Sequence, residues 1–370
     1  MRVVIVGGGL MGAAAAFFLA RRGVVVTLLE RDRIGQAATN ASFGNIRRQG
    51  RYLPQMPLAH RSRALWGEAE ALLGEDVEFR ATGHVRLAFD ADAVADMETF
   101  ARDAAPYGLT LEILGRNELR SRFAWAGPAA IAASFSPEDG SANPRLVAPA
   151  FARAAARLGA EIVEGSQVVA ICRSDAGLSV ETATGTFAAD AVLNAAGAWG
   201  ARLAESVGEP VPLEPYGPQM GVTEPLPHRI LPVVGIWSRV KAEGVYFRQV
   251  ERGNIVFGGG KREAVALDPG HATVDPANTL AQLPQLKRLC PAIARVQVIR
   301  TWSGCEGYIS DMLPVMGPSR TTPGLFHAFG FCGHGFQLGP GVGDVMAELI
   351  ATGRSETPIE PFSIARFAAA

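Results

Sequence analysis

Three observations predict an α/β chain in which a Rossmann-like domain is interleaved with a second, α+β domain built on an antiparallel sheet. A β-branched run at the N-terminus meets a glycine turn and an alanine-rich helix; two more small-residue turns follow strand-like runs late in the chain; and much of what lies between is rich in strands and prolines. Segments 1–78, 136–209 and 300–370 read as the first domain, discontinuous in sequence, and 79–135 with 210–299 as the second.

Arg2 to Val6 has no polar interruption, as a parallel strand buried on both faces requires. Gly7, Gly9 and Gly12 follow in G-x-G-x-x-G spacing: the first permits a tight turn, the second lets backbone approach a pyrophosphate, and the third lets helix pack on strand. The phosphates then sit at a helix N-terminus, near Leu10 and Met11. The helix runs from Met11 to Arg22 and stops at Gly23. Val24 to Leu29 is the second strand, and Glu30 closes it 18 residues after Gly12, where a carboxylate takes both ribose hydroxyls and repels a 2′-phosphate. Arg31 follows directly. The motif gives a dinucleotide without choosing which.

After Arg31 comes a small-residue segment with a basic cluster at Arg47, Arg48 and Arg51. It is read as lying along the dinucleotide, with Ser42, Gly44 and Asn45 near it and an arginine facing an anionic substrate group; a solvated basic loop is the plain alternative. Leu58 to Leu73 reads as one amphipathic helix, His84 to Phe89 as an alternating strand, and Ala91 to Tyr107 as a helix. Asn143-Pro144 opens a helix through Leu158, strands follow at 161–163 and 168–171, and a hairpin turns at Thr184-Gly185. The buried strand Ala191 to Asn194 then meets a second close-approach turn, Ala195-Ala196-Gly197, before Trp199. Residues 210–299 are strand-rich, with a helix at Thr279 to Leu289. Finally Gly324 to Phe329 is a strand, GFCGHGFQLGPG a glycine-rich loop, and Val342 to Thr352 a helix whose dipole can stabilise negative charge.

Composition narrows the class. With 48% hydrophobic and 19% charged residues the chain is an ordinary globular protein. Its 35 lysines and arginines against 36 aspartates and glutamates ask for neither nucleic acid nor an anionic membrane. Cys172, Cys290, Cys305 and Cys332 are scattered, so neither a metal site nor a disulfide framework is expected. A strand at the very N-terminus leaves no room for a signal peptide; a cytoplasmic location is expected, with peripheral membrane association through a partner left open.

With three glycine turns in this order, the chain resembles the D-amino-acid oxidase superfamily of FAD-dependent amine oxidoreductases, over nearly its whole length. Within it, the resemblance is nearest to sarcosine oxidases and to the β-type subunits of opine, proline and hydrogen cyanide-forming amino-acid dehydrogenases. The carrying motifs are GGGLMG with Glu30, PLAHRSRALW, NAAGAWG and GFCGHGFQLGPGVGDVMAEL. The resemblance implies a glutathione-reductase-like fold and non-covalent FAD held by Gly7, Gly9, Gly12 and Glu30, by Val168 near adenine, and by Gly197 and Trp199. Gly333, His334, Gly335, Phe336 and Gln337 would lie under the flavin's pyrimidine end. It also implies that an amine is oxidised to an imine by hydride transfer to flavin N5, and that water hydrolyses the imine.

Three departures bear on substrate and acceptor. Glu306 stands where many relatives carry a carboxylate-binding arginine, so that role passes to Arg47 or Arg48, or the substrate is no simple amino acid. Gln337 stands where sarcosine oxidases have a lysine, and Cys305 is one residue from their flavin-linking cysteine. Their oxygen-activating lysine has no counterpart on 254–258, Lys261 lying beyond it. A dehydrogenase passing electrons to a quinone or a partner subunit is therefore expected. The alternatives are a peroxide-forming sarcosine or amino-acid oxidase and a flavin-binding subunit inactive alone; an NAD enzyme ranks last. A homo- or hetero-oligomer fits each. His334 fits a hydrogen-bond partner of the ring better than a base, since hydride abstraction from a neutral amine needs none. Tyr246 and Tyr308 are candidate walls over the substrate.

Overall fold

The first thirty residues form β1 (Arg2–Val6), α1 (Leu10–Arg21) and β2 (Val25–Leu29). Four of the five β1 residues are buried, because parallel neighbours flank it: β2 on one side and the strand Ala191–Asn194 on the other. The computed structural model describes residues 1–174, 177–227, 229–240, 243–268, 270 and 272–367. Within them, β3 (Glu161–Val163), β4 (Ala191–Asn194), β5 (Val315–Pro318) and β6 (Leu325–Phe329) complete a six-stranded sheet in the order β5-β6-β4-β1-β2-β3. All neighbours are parallel except the edge pair of β5 with β6.

Helices α1, α2 (Met56–Gly67), α3 (Val147–Arg157) and α4 (Gly335–Thr352) form a bundle, α1 packing against both α3 and α4. Ala13 to Ala16 are fully buried there. A Cβ added at Gly343 would lie 2.5 Å from Ala14 Cβ, and one at Gly339 2.4 Å from Leu10. Gly339, Gly341 and Gly343 thus serve helix packing. This corrects the expected loop: α4 starts at Gly335, seven residues before Val342, because its glycines are what let α1 and α2 approach. Its ladder is interrupted at Pro340, and the Ser62 hydroxyl of α2 fills the gap, donating to Gln337 O (2.6 Å) and accepting from Gly341 N (3.0 Å).

The second large sheet has eight strands, drawn from 84–136 and 219–303, in the order Val298–Ser303, Gln219–Pro225, Asn254–Gly259, Val245–Gln249, Val233–Ile236, His84–Ala88, Ala132–Ser136, Glu112–Gly115. It is antiparallel apart from Val233–Ile236 beside His84–Ala88. Val85 and Leu87 sit in one core and Ala88 in another, so the expected in-out alternation is absent. Three helix boundaries also differ from the sequence reading: the helix expected to open at Asn143-Pro144 starts at Val147. The amphipathic stretch breaks at Glu68 into Met56–Gly67 and Ala69–Leu73, and the helix expected from Thr279 starts at Pro276, where the Asp275 carboxylate accepts from Ala277 N (2.9 Å).

Candidate active site

The C-terminal ends of β1, β2, β4 and β6 open onto a cavity of about 480 Å³, in the crevice where open α/β sheets bind ligands. Gly7, Gly9, Leu10 and Met11 line it, with Glu30 and Arg31 beside them. Each glycine of the motif meets a different constraint. Gly7 has φ +104° and sits against Ala195 O; Gly12 is buried so closely that a Cβ would fall 1.9 Å from Gly7 O. Gly9 is unlike both: its φ is −68°, which any residue adopts, and a Cβ there would approach nothing nearer than Thr39 Oγ1 at 3.6 Å. The protein itself leaves room at Gly9, so what excludes a side chain there is whatever fills the cavity. That is the behaviour a pyrophosphate demands.

Glu30 Oε2 accepts from Gly8 N (2.7 Å) and Oε1 from Asp32 N (2.8 Å), tying the turn to the end of β2. Burial raises its pKa, against the pull of these two hydrogen bonds. The Arg31 guanidinium lies 4.3 Å from the Trp199 ring centroid across the cavity wall, and Val168, Ser42 and Gly197 also line it. The Ser166 hydroxyl is a buried, cavity-lining oxygen with no partner among the described residues. A dinucleotide has what these groups lack, and the residues present fit FAD.

Beneath the second turn lies a buried polar relay. Glu209 accepts from Ser319 Oγ (2.6 Å) and Arg320 N (2.6 Å) and meets His327 Nε2 at 3.1 Å. His327 Nδ1 faces Asn194 Nδ2 (3.3 Å), and Asn194 holds the turn by accepting from Ala196 N (3.3 Å) and donating to Gly200 O (2.8 Å). Burial alone would raise the Glu209 pKa; the hydrogen bonds from His327, Ser319 and Arg320 outweigh it and hold the carboxyl at about 2.

At the other end the wall is made by Gly333, Gly335 and Phe336, where α4 begins, and by Cys305 and Glu306. Burial pushes the Cys305 thiol up to about 11, so it stays protonated and poorly nucleophilic. Glu306 Oε2 accepts from Tyr308 Oη (2.8 Å), and both face the open side of Gly333. Burial raises the pKa of Glu306 despite that hydrogen bond. Tyr246 stacks edge-on against Phe43, 4.7 Å between centroids, and burial pushes its hydroxyl up to about 12. Next to Tyr246 and His334 come the charges of Arg47 and Arg262.

Several expected residues stand away from the cavity. Gln337 turns to α2, donating to Ala59 O (2.8 Å), and does not line it. His334 is half-buried, with Nδ1 enclosed and unpartnered among the described residues; desolvation and then Arg51, Arg47 and Arg262 drive its pKa well down, which keeps the imidazole neutral. Gly44 has φ +82° against Ala142 O, and Asn45 belongs to a two-residue strand pairing with Ser141; neither lines the cavity. Arg48 does not offer itself to a substrate. Its Nε bonds Asp139 (2.8 Å) and its Nη2 Glu138 (2.8 Å), so internal carboxylates already match its charge.

Arg262 and Arg86 had no signal in the sequence, since nothing in GGGKRE or HVRLAF marks a site. Arg51 was visible as part of a basic cluster, but its burial was not.

Comparison with known proteins agrees with this geometry. The family described as FAD dependent oxidoreductase (DAO) matches residues 2–349. A glycine oxidase of Geobacillus kaustophilus is 30% identical, over 98% of this chain and 96% of its own length. The hydrogen cyanide synthase subunit HcnC of Pseudomonas aeruginosa is 28% identical over 84% of this chain and 74% of its own. Among solved structures, L-proline dehydrogenase from P. horikoshii superposes with a TM-score of 0.92 at 28% identity, over 99% of this chain and 97% of that one.

Proposed function

Because the chain belongs to the DAO family of FAD-dependent oxidoreductases, we propose that it oxidises the C–N bond of an amino acid or secondary amine to an imine, which water then hydrolyses. The observation that carries this reading is the Glu306–Tyr308 pair facing Gly333 at one end of the dinucleotide cavity, with arginines beside it. Bound FAD supplies the acceptor for the two electrons. The chain's own residues do the rest. Glu306 Oε2 takes the proton from the substrate ammonium, freeing the nitrogen lone pair that must push out the adjacent C–H electrons. Its raised pKa makes it a better proton acceptor than an exposed glutamate. Tyr308 fixes its orientation, and Arg47 holds the carboxylate, since no internal carboxylate is ion-paired with it among the described residues.

For the electron acceptor we favour a quinone or a partner subunit over oxygen. The chain has three lysines. Lys261 is exposed and ion-paired with Glu263 (2.7 Å), Lys287 is exposed, and Lys241 lies outside the described residues. Neither described lysine offers a buried ammonium beside the flavin end. Among the described residues no helix is long and apolar enough to cross a membrane.

The test is anaerobic flavin reduction by a panel of D- and L-amino acids, prolines, N-methyl amino acids and opines, followed by air. Bleaching by one class with slow return of colour is the expected result. Rapid reoxidation overturns the dehydrogenase, and no bleaching by any class leaves the subunit reading in its place.

A further inference from the structure

Around the reacting end of the cavity the charges do not balance. Arg51 is 5% exposed; its Nε donates to Arg47 O (2.7 Å), its Nη2 to His334 O (3.4 Å), and its Nη1 is buried without a partner among the described residues. Arg47 bonds the backbone oxygen of Gln49. Arg86 donates to Ile236 O (3.2 and 2.8 Å) and lies 3.7 Å from the Trp237 ring centroid. Arg47 and Arg86 converge on Gly50, where an added Cβ would sit 3.1 and 2.5 Å from their Nη1 atoms. Arg262 stands apart from these three, 4.7 Å from the Tyr308 ring centroid.

Among the described residues none of these four arginines is ion-paired, whereas Arg48 next to them has two carboxylates. Burial, then the charge of Arg47, pushes Arg86 down to about 9, still cationic at neutral pH. Arg51 is buried and Arg47 and Arg86 are half-buried, so these three guanidiniums need a counter-ion or cost several kcal/mol, since none escapes by losing its proton; Arg262 is exposed, and water meets its charge until a ligand covers it. Glu306 is the carboxylate present at this end and its charge reaches Arg262. The charge of Asp139 also reaches Arg47 and Arg51, but that carboxylate is bonded to Arg48, so among the described residues the three enclosed guanidiniums have no carboxylate of their own.

The cations also form two groups. Arg47 and Arg86 act on His84, Arg262 acts on Glu306 and Tyr308, and both groups reach His334. A single carboxylate meets one group and leaves the other bare. We propose that the substrate is an amine carrying two carboxylates, one held by Arg47 and Arg51 and the other by Arg262, with the nitrogen at Glu306. This rests on the amine-oxidising reading above and names the substrate class for the same site.

The experiment separates the two. Binding of non-oxidisable acids to the FAD-loaded enzyme, read from flavin difference spectra, tests the charge arrangement without turnover: butyrate and valerate against succinate and glutarate. Anaerobic reduction then compares N-methylglycine with iminodiacetate, and alanine with aspartate. The dicarboxylates should bind about 10- to 100-fold more tightly than monocarboxylates of equal length, the worth of one added charge-assisted contact. Arg262→Met should bring the two classes to within about twofold with FAD content unchanged; Arg262→Lys should restore part of the gap. Equal binding of both classes by the wild type, or a full preference surviving in Arg262→Met, overturns the proposal. Tight dicarboxylate binding with no flavin reduction by any amine supports the charge arrangement while overturning the amine chemistry.

Discussion

The two ends of the cavity are built by opposite means. At the nucleotide end the wall is backbone: Gly7, Gly9 and the N-terminus of α1, helped by one carboxylate whose oxygens both accept backbone N–H groups. At the other end side chains set the wall: Cys305 and Glu306 line it, Tyr308 bonds Glu306, and behind them the charges of Arg47, Arg51 and Arg262 act on His334. A backbone wall is specified by residues that must be absent, which is why it reads as glycines at fixed spacing. A side-chain wall is specified by residues that must be present, and these come from strands far apart in sequence.

The sharpest way to break this contrast is at the glycines. Gly12→Val should abolish accumulation of folded protein, because its Cβ falls 1.9 Å from Gly7 O, a clash beyond the ~1–3 kcal/mol of ordinary overpacking. Gly9→Val should instead fold, with the FAD-free protein losing only about 1 kcal/mol because Gly9 is the N-cap of α1, and lose the yellow colour. A Gly9 variant that purifies with full FAD would remove the pyrophosphate from that position.

At the other end, Glu306→Gln should slow anaerobic flavin reduction by about 10²–10⁴-fold. Glu306 must be ionised to take a proton and burial raises its pKa, so the wild-type rate should climb with pH through a range above that of ordinary glutamates. The variant should lose that climb. An unchanged pH profile would remove Glu306 from the proton's path.

The smallest effect is expected where the contrast itself is least clean. Glu209, His327 and Asn194 are side chains, yet they support a backbone turn. Glu209→Gln should cost about 2–3 kcal/mol at pH 7, from weakened charge-assisted hydrogen bonds. Because the folded-state pKa is depressed to about 2, this contribution is complete above the ordinary glutamate range and disappears as pH falls towards 2. Urea melts of both proteins at pH 7 and pH 3 check this, and a difference that grows in acid contradicts it.

How far the sequence could be read follows from the same contrast. Strand β1, the turn, α1, β2 and Glu30 were legible because each rests on local chemistry. The start of α4 was not: a run of glycines around Pro340 reads locally as a loop, and becomes a helix because Leu10, Ala14 and Ser62 pack against it from distant segments. Arg47 and Arg48 are chemically identical neighbours. Nothing local says that Asp139, 91 residues on, bonds the second, while the first has no ion-pair partner among the described residues.

The Gly343–Ala14 and Gly339–Leu10 contacts tie the N-terminal motif to a helix more than three hundred residues away. The two segments are therefore a single unit of inheritance. A methyl group gained on one side must be matched by one lost on the other, so changes at positions 14 and 343 are tolerated in one order and not the reverse. A chimera that borrows the first thirty residues from a relative without its α4 would carry a complete dinucleotide motif on a helix bundle that cannot close.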